Sequence, residues 1–127
     1  MRKVMVLHET GWTEIVDFEE TLEFYYKHLE CRMIDIVRPY ALIKKSHECK
    51  KFILIVDDEA LLKSNPKINA FATLAYGSTI CGKAILAKEE YAEDDIITVG
   101  LTREDVELFD ETILDILDDI EYNKYNE

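Results

Sequence analysis

Phe52-Ile-Leu-Ile-Val56 is apolar for five residues without a break, and the triplet Asp57-Asp58-Glu59 closes it. The run has strand length. A strand with no alternation of apolar and polar positions belongs at the centre of a sheet. The rest of the chain must therefore supply neighbouring strands and the helices that cover them.

The candidates are legible on both sides. Arg2–His8 reads as a strand on Val4, Val6 and Leu7, and Glu9-Thr10-Gly11 turns it into Trp12–Val16 as a hairpin partner. Asp17 is expected to cap the next helix, with Glu20 at the acidic position of a capping box. In that helix Phe18, Leu22, Tyr25 and Leu29 share one face. Arg32–Tyr40 reads as a strand ended by Pro39, and Ala41–Ile43 as a short one within the mixed stretch Ala41–Lys51. Ser64-Asn65-Pro66 signals a turn, and Ala70–Tyr76 fits either a strand or a helix. Gly77-Ser78 turns the chain again. Ile80–Ala87 reads as a strand crossing Gly82, Tyr91–Asp95 as an acidic loop, and Ile96–Val99 as a last short strand.

Thr102, with Asp105 three residues on, opens a long helix. Val106, Phe109, Ile113, Ile116 and Ile120 form its apolar seam, widened by Leu108, Leu114 and Leu117. Such a seam packs on a sheet or pairs with a second copy. The expected fold is α+β: residues 1–122 as one domain, a mostly antiparallel sheet carrying the first helix and the acidic C-terminal helix on one side. Residues 123–127 are expected to be a frayed polar tail. A chain of 127 residues buries enough surface to need neither a disulfide nor a metal.

Charge narrows the functions. Fifteen Lys and Arg stand against 27 Asp and Glu, a net −12. That balance excludes a generic basic nucleic-acid binder and a polybasic membrane-surface protein. Glu9 and Glu14 interrupt the N-terminal apolar run too early for a signal peptide, and no window is long enough to span a membrane. Cys31, Cys49 and Cys81 are odd in number and lack framework spacing, which fits free thiols in the cytoplasm.

The acids are patterned. Thr102–Glu121 holds nine of them and a single base, Arg103. Glu104, Glu107, Glu111, Asp115 and Asp118 have the spacing of one helix ridge. Such a row resembles spaced phosphates and suits a basic nucleic-acid channel on a partner, or it is simply a solvated face. Mutual repulsion along it is expected to raise carboxylate pKa values, so that the fold gains stability on mild acidification to about pH 5.

Other constellations are weaker. His28 with Cys31 and His47 with Cys49 supply ligand types for zinc, but not at the spacing of a known site, and no metal or other cofactor is assigned. No Gly-x-Ser-x-Gly, Walker or dinucleotide-binding pattern occurs, so no catalytic residue is assigned and the chain reads as non-enzymatic. Arg32, Arg38, Tyr40, Asn69 and Arg103 supply the cationic, aromatic and amide groups that bind nucleotides, unless the arginines pair with the abundant carboxylates.

A resemblance covers roughly residues 50–110. The features are Phe52–Glu59, Asn65-Pro-Lys-Ile-Asn69, Ala70–Tyr76, Ile80-Cys-Gly-Lys-Ala-Ile-Leu86 and Leu101–Phe109. This pattern resembles a small uncharacterised domain family of phages and mobile elements in low-GC bacteria. Ala60 departs from it, standing where such domains tend to have Gly, and so does the long acidic C-terminus. The resemblance implies a phage or mobile-element origin and an accessory role against host defence. Combined with the acidic row, it leads to an inhibitor of a host defence protein that has a basic nucleic-acid-binding surface. Such a protein would bind no nucleic acid directly, would work in the host cytoplasm, and could form homo-oligomers. The alternatives are a sponge for a cyclic nucleotide messenger and an oligomeric accessory protein without a defence role.

Overall fold

The computed structural model describes residues 2–125. Six strands form one antiparallel sheet: β1 (Lys3–Leu7), β2 (Thr13–Asp17), β3 (Ile34–Val37), β4 (Phe52–Asp57), β5 (Ala84–Ala92) and β6 (Asp95–Val99). The order is β2-β1-β5-β4-β3, with β6 also paired to β5. Four helices accompany it: α1 (Leu22–Leu29), α2 (Tyr40–Lys45), α3 (Ala70–Tyr76) and α4 (Arg103–Tyr125). The fold is α+β, as the pattern implied.

Every residue of β4 is buried, which places Phe52–Val56 inside the sheet. Side chains alternate between the two faces. Met5, Leu7, Leu54, Val56, Ala84 and Leu86 point to one core, completed by Leu42, Cys49, Ala72, Ala75, Phe109 and Ile113 from the α2, α3 and α4 side. Val4, Val6, Ile53, Ile55, Ile85 and Ala87 point to the other, completed by Phe18, Phe24, Tyr25 and Leu29. Phe18 and Phe24 meet edge to face with centroids 5.4 Å apart. The two helices expected on one side thus lie on opposite faces. A strand run with no polar alternation needs cover on both.

Several boundaries move. Asp17 belongs to β2, and the N-cap of α1 is Thr21, whose hydroxyl accepts the Phe24 N–H at 3.1 Å. Phe18 still joins the aromatic core ahead of the helix, while Leu22 stays exposed. The third strand is only Ile34–Val37, because Tyr40–Lys45 is helical, including the Ala41–Ile43 expected to be extended. Ala70–Tyr76 resolves as a helix, capped by Asn69 and stopped by Gly77 in the left-handed region (φ 94°). Ile80 and Cys81 precede β5, with Cys81 in an isolated bridge to Ile68. β5 runs on through Tyr91 and Ala92 into a hairpin with β6, so the acidic loop shrinks to its tip. The C-terminal helix continues through Tyr125, so Asn123–Tyr125 are helical, and the last two tail residues lie outside the described residues.

One constraint had no sequence signal. A Cβ on Gly100 would stand 2.8 Å from the Lys3 carbonyl oxygen, and the Leu101 N–H donates to that same oxygen at 2.6 Å. Only glycine lets the chain cross so close to β1 before entering α4.

Candidate binding surfaces

The long helix begins as its sequence requires. The Asp105 N–H donates to the Thr102 hydroxyl at 3.2 Å, and the Thr102 N–H donates to Asp105 Oδ2 at 2.7 Å. This reciprocal box supplies partners for two amides at the helix N-terminus. The Lys88 ammonium also meets Asp105, at 2.8 Å, and ties the first turn to β5. Burial tends to raise the Asp105 carboxyl, but Lys88 and the Thr102 groups outweigh it and hold it below the ordinary value.

Phe109, Thr112 and Ile113 are buried in α4 and Ile116 is half-buried. The Thr112 hydroxyl donates to the Leu108 carbonyl at 2.7 Å and lies 3.7 Å from Cys49 Sγ. Glu104, Glu107, Glu111, Asp115 and Asp118 are all exposed, on the face opposite this seam. Glu107 is bridged by Arg103 at 3.2 Å; the other four make no salt bridge among the described residues. Lys45 pairs with the neighbouring Asp119 at 2.6 Å and feels the fields of Asp115 and Asp118. Beyond Ile116 the helix leaves the core, and Leu117 and Ile120 are exposed on the side of the seam.

The five residues considered for a nucleotide do not form one site. Arg32 grips Glu59 with two hydrogen bonds, at 2.8 and 3.2 Å. Arg38 pairs with Glu89 at 2.5 Å, and Arg103 with Glu107. Tyr40 is exposed beside Tyr76, with ring centroids 5.9 Å apart. Asn69 is fully buried. Its amide nitrogen donates to the carbonyls of Leu7 and Gly82 at 2.8 and 2.9 Å, and its oxygen accepts the Ala72 N–H at 3.0 Å. Arg32 and Arg103 line different hollows.

His28, Cys31, His47 and Cys49 do not converge either. Cys31 packs with the α1-side core and Cys49 with the α4-side core, so the sheet separates them. Among the described residues no three His, Cys, Asp or Glu side chains group as a metal site.

Sequence reasoning missed a charged cleft at one end of the sheet. It has a volume of about 460 Å³ and includes Tyr26, Glu30, Cys31, Asp57, Glu59 and Lys63. Asp57 ends β4 and is the one charged residue among the buried ones described. Its Oδ2 meets Lys63 Nζ at 2.6 Å, and its Oδ1 accepts the Glu59 N–H at 2.9 Å. Lys63 also donates to the Glu30 carbonyl at 3.0 Å, and Lys83 to the Glu30 carboxylate at 2.7 Å. Burial, followed by the Asp57 charge, pushes the Cys31 thiol up and keeps it from ionising, so it is a poor nucleophile. The cleft's charges largely satisfy one another. The acidic triplet that closes β4 was its visible signal; which cations would reach it was not.

Among the described residues no helix is long and apolar enough to cross a membrane. A family model described as a domain of unknown function, DUF3846, matches residues 1–114. No curated protein and no solved structure matches the chain.

Proposed function

Because the chain belongs to the DUF3846 family, a domain family of unknown function, its role has to be read from its own surface, and we propose that it is a non-catalytic, partner-binding protein. The partner is a protein with a basic surface that handles nucleic acid. The observation carrying this reading is the ridge Glu104, Glu107, Glu111, Asp115 and Asp118, exposed along a helix whose opposite face is anchored by Phe109 and Ile113. A rigid helix holds its carboxylates at fixed backbone spacing, so it can offer a basic groove a complementary array without ordering its backbone on binding. The family match stops at residue 114, so Asp115 and Asp118 extend the ridge past the shared domain.

A phage or mobile-element origin, a host defence protein as the target and action in the host cytoplasm complete the proposal. They rest on the resemblance over residues 50–110. Sequestration of a nucleotide is the less favoured reading, since Arg32, Arg38 and Arg103 each already hold a carboxylate.

The test starts with capture of the partner from host lysate and its purification. Reversing Glu107, Glu111 and Asp115 to Lys is then expected to abolish binding while leaving the melting curve cooperative. Affinity should also fall as salt is raised, because exposed charges are screened within about 8–10 Å at physiological ionic strength. Binding that resists both treatments overturns the ridge as the interface.

A further inference from the structure

The sheet has exposed edges, and they are not alike. On β3 the Asp58 N–H donates to the Met33 carbonyl at 3.1 Å, which sets the phase of the ladder. Asp35 and Val37 therefore bond to β4, while Ile34 and Ile36 turn their backbone groups outward. The outward Ile36 N–H is already occupied: the Asp35 carboxylate accepts it at 2.9 Å. β6 repeats the device, with Asp95 accepting the Ile96 N–H at 2.8 Å. A charged side chain folded over an edge amide blocks strand addition there.

β2 lacks that block. The His8 N–H donates to Trp12 O, and the Phe18 N–H to Arg2 O, so Glu14 and Val16 bond to β1. Thr13, Ile15 and Asp17 face outward. Among the described residues, no side chain caps the Ile15 N–H. Ile15 sits opposite Met5, whose side chain joins the α4-side core, and is 49% exposed on that face. Beside it lies a largely apolar hollow of about 390 Å³, lined by Ile15, Leu101 and Val106 together with Lys3, Arg103 and Glu107.

We infer that the β2 edge is a strand-addition site for an extended segment of a partner protein in which apolar residues alternate with basic ones. The free amide and carbonyl groups of Thr13, Ile15 and Asp17 supply the ladder. An apolar side chain of the incoming strand enters the hollow beside Ile15. Alternation turns its basic residues to the opposite face of the sheet, where they meet Glu14, which His8 also reaches at 3.0 Å, on a chain of net charge −12. The same net charge disfavours a second copy on this edge. The inference rests on the reading of the chain as a partner-binding protein, and it names a second contact and the form of the segment that makes it.

The probe is a short end-blocked peptide of alternating Val and Lys, titrated into the full chain by NMR with amide hydrogen exchange. Saturable binding is expected, with slowed exchange of the Ile15 N–H. Ile15→Pro removes the outward donor without breaking a bond to β1. Glu14→Asp puts an aspartate before Ile15, copying the Asp35-Ile36 device. Each is expected to weaken binding by about tenfold, as is N-methylation of the peptide's ladder amides, roughly the loss of one or two net hydrogen bonds. Glu14→Asp and the methylated peptide keep the test open if the proline variant fails to fold. Glu111, Asp115 and Asp118 changed together to Lys should leave the Ile15 protection in place, so failure of the ridge reading and failure of this one are separable. The inference is overturned by any of four results: no saturable binding, an unprotected Ile15 amide, equal affinity for the methylated peptide, or protection of Ile15 by self-association without peptide.

Discussion

Lys63 Nζ stands 2.6 Å from Asp57 Oδ2, joining an exposed loop to the carboxylate that ends the central strand. The two ends of this pair differ in burial: the Asp57 side chain is 3% exposed and the Lys63 side chain 50%. Removing the lysine leaves a buried charge with only the Glu59 N–H as a hydrogen-bond donor. Lys63→Ala is therefore expected to cost about 2 kcal/mol, more than an exposed pair is worth. Asp57→Asn, which removes the buried charge, should cost less. Urea unfolding of the two variants checks the order, and a larger loss in Asp57→Asn would show that the carboxylate is not stranded without its lysine.

Asn69 closes three hydrogen bonds from a site with no exposure, joining the first turn of α3 to the ends of β1 and to Gly82. Asn69→Ala loses the helix cap and leaves two carbonyls without their donor. A loss of about 2–4 kcal/mol is expected. Asn69→Asp should not rescue it, because a carboxylate keeps the cap but faces two carbonyls with no proton to give. Thermal melts of both variants decide this; a wild-type-like Asp variant would mean that the amide nitrogen is not what matters.

Acid should destabilise the fold, contrary to the gain expected from repulsion among the rows. Of the carboxylates whose ionisation the fold moves, Glu30, Glu59 and Asp105 go down, held by Lys83, Arg32 and Lys88, while Asp110 goes up through burial. A carboxylate held below its unfolded value contributes stability that is present above that value and lost as pH falls through the folded one. His28 adds an earlier loss. Burial, followed by Lys27, lowers its pKa below 6.5, so the unfolded chain takes up a proton first as pH falls through that value. The melting midpoint is expected to decline as pH drops below 6.5 and to decline further below the ordinary carboxylate range near 4. Asp110, raised by burial, takes up its proton first in the folded chain and so opposes the decline above its ordinary value, ahead of the second phase. His28→Gln should flatten the first. A midpoint that rises on acidification would mean that unpaired repulsion outweighs these pairs.

Much of this architecture was written locally. The uninterrupted run Phe52–Val56, the spacing of Phe109 and Ile113, and the Thr102/Asp105 box each depend on residues a few positions apart, and short-range sterics and hydrogen bonding decide them. The α2 segment shows the limit. Ala41–Ile43 has no local preference strong enough to decide, and its helix forms because buried Leu42 packs with the α3 and α4 side chains.

By itself the sequence determined an acidic α+β chain with a buried central strand, a capped C-terminal helix and a ridge of carboxylates along it. Periodicity and composition report which faces are apolar and which are charged. Only the tertiary structure decided that α1 and α4 cover opposite faces, that Lys63 reaches Asp57 and Arg32 reaches Glu59, and that β2 keeps an uncapped edge while Asp35 and Asp95 close theirs. Charge partners far apart in sequence, and the phase of a hydrogen-bond ladder, follow from how strands are ordered and registered. That ordering is set by the packing of the whole core, on which no short stretch of residues carries the information.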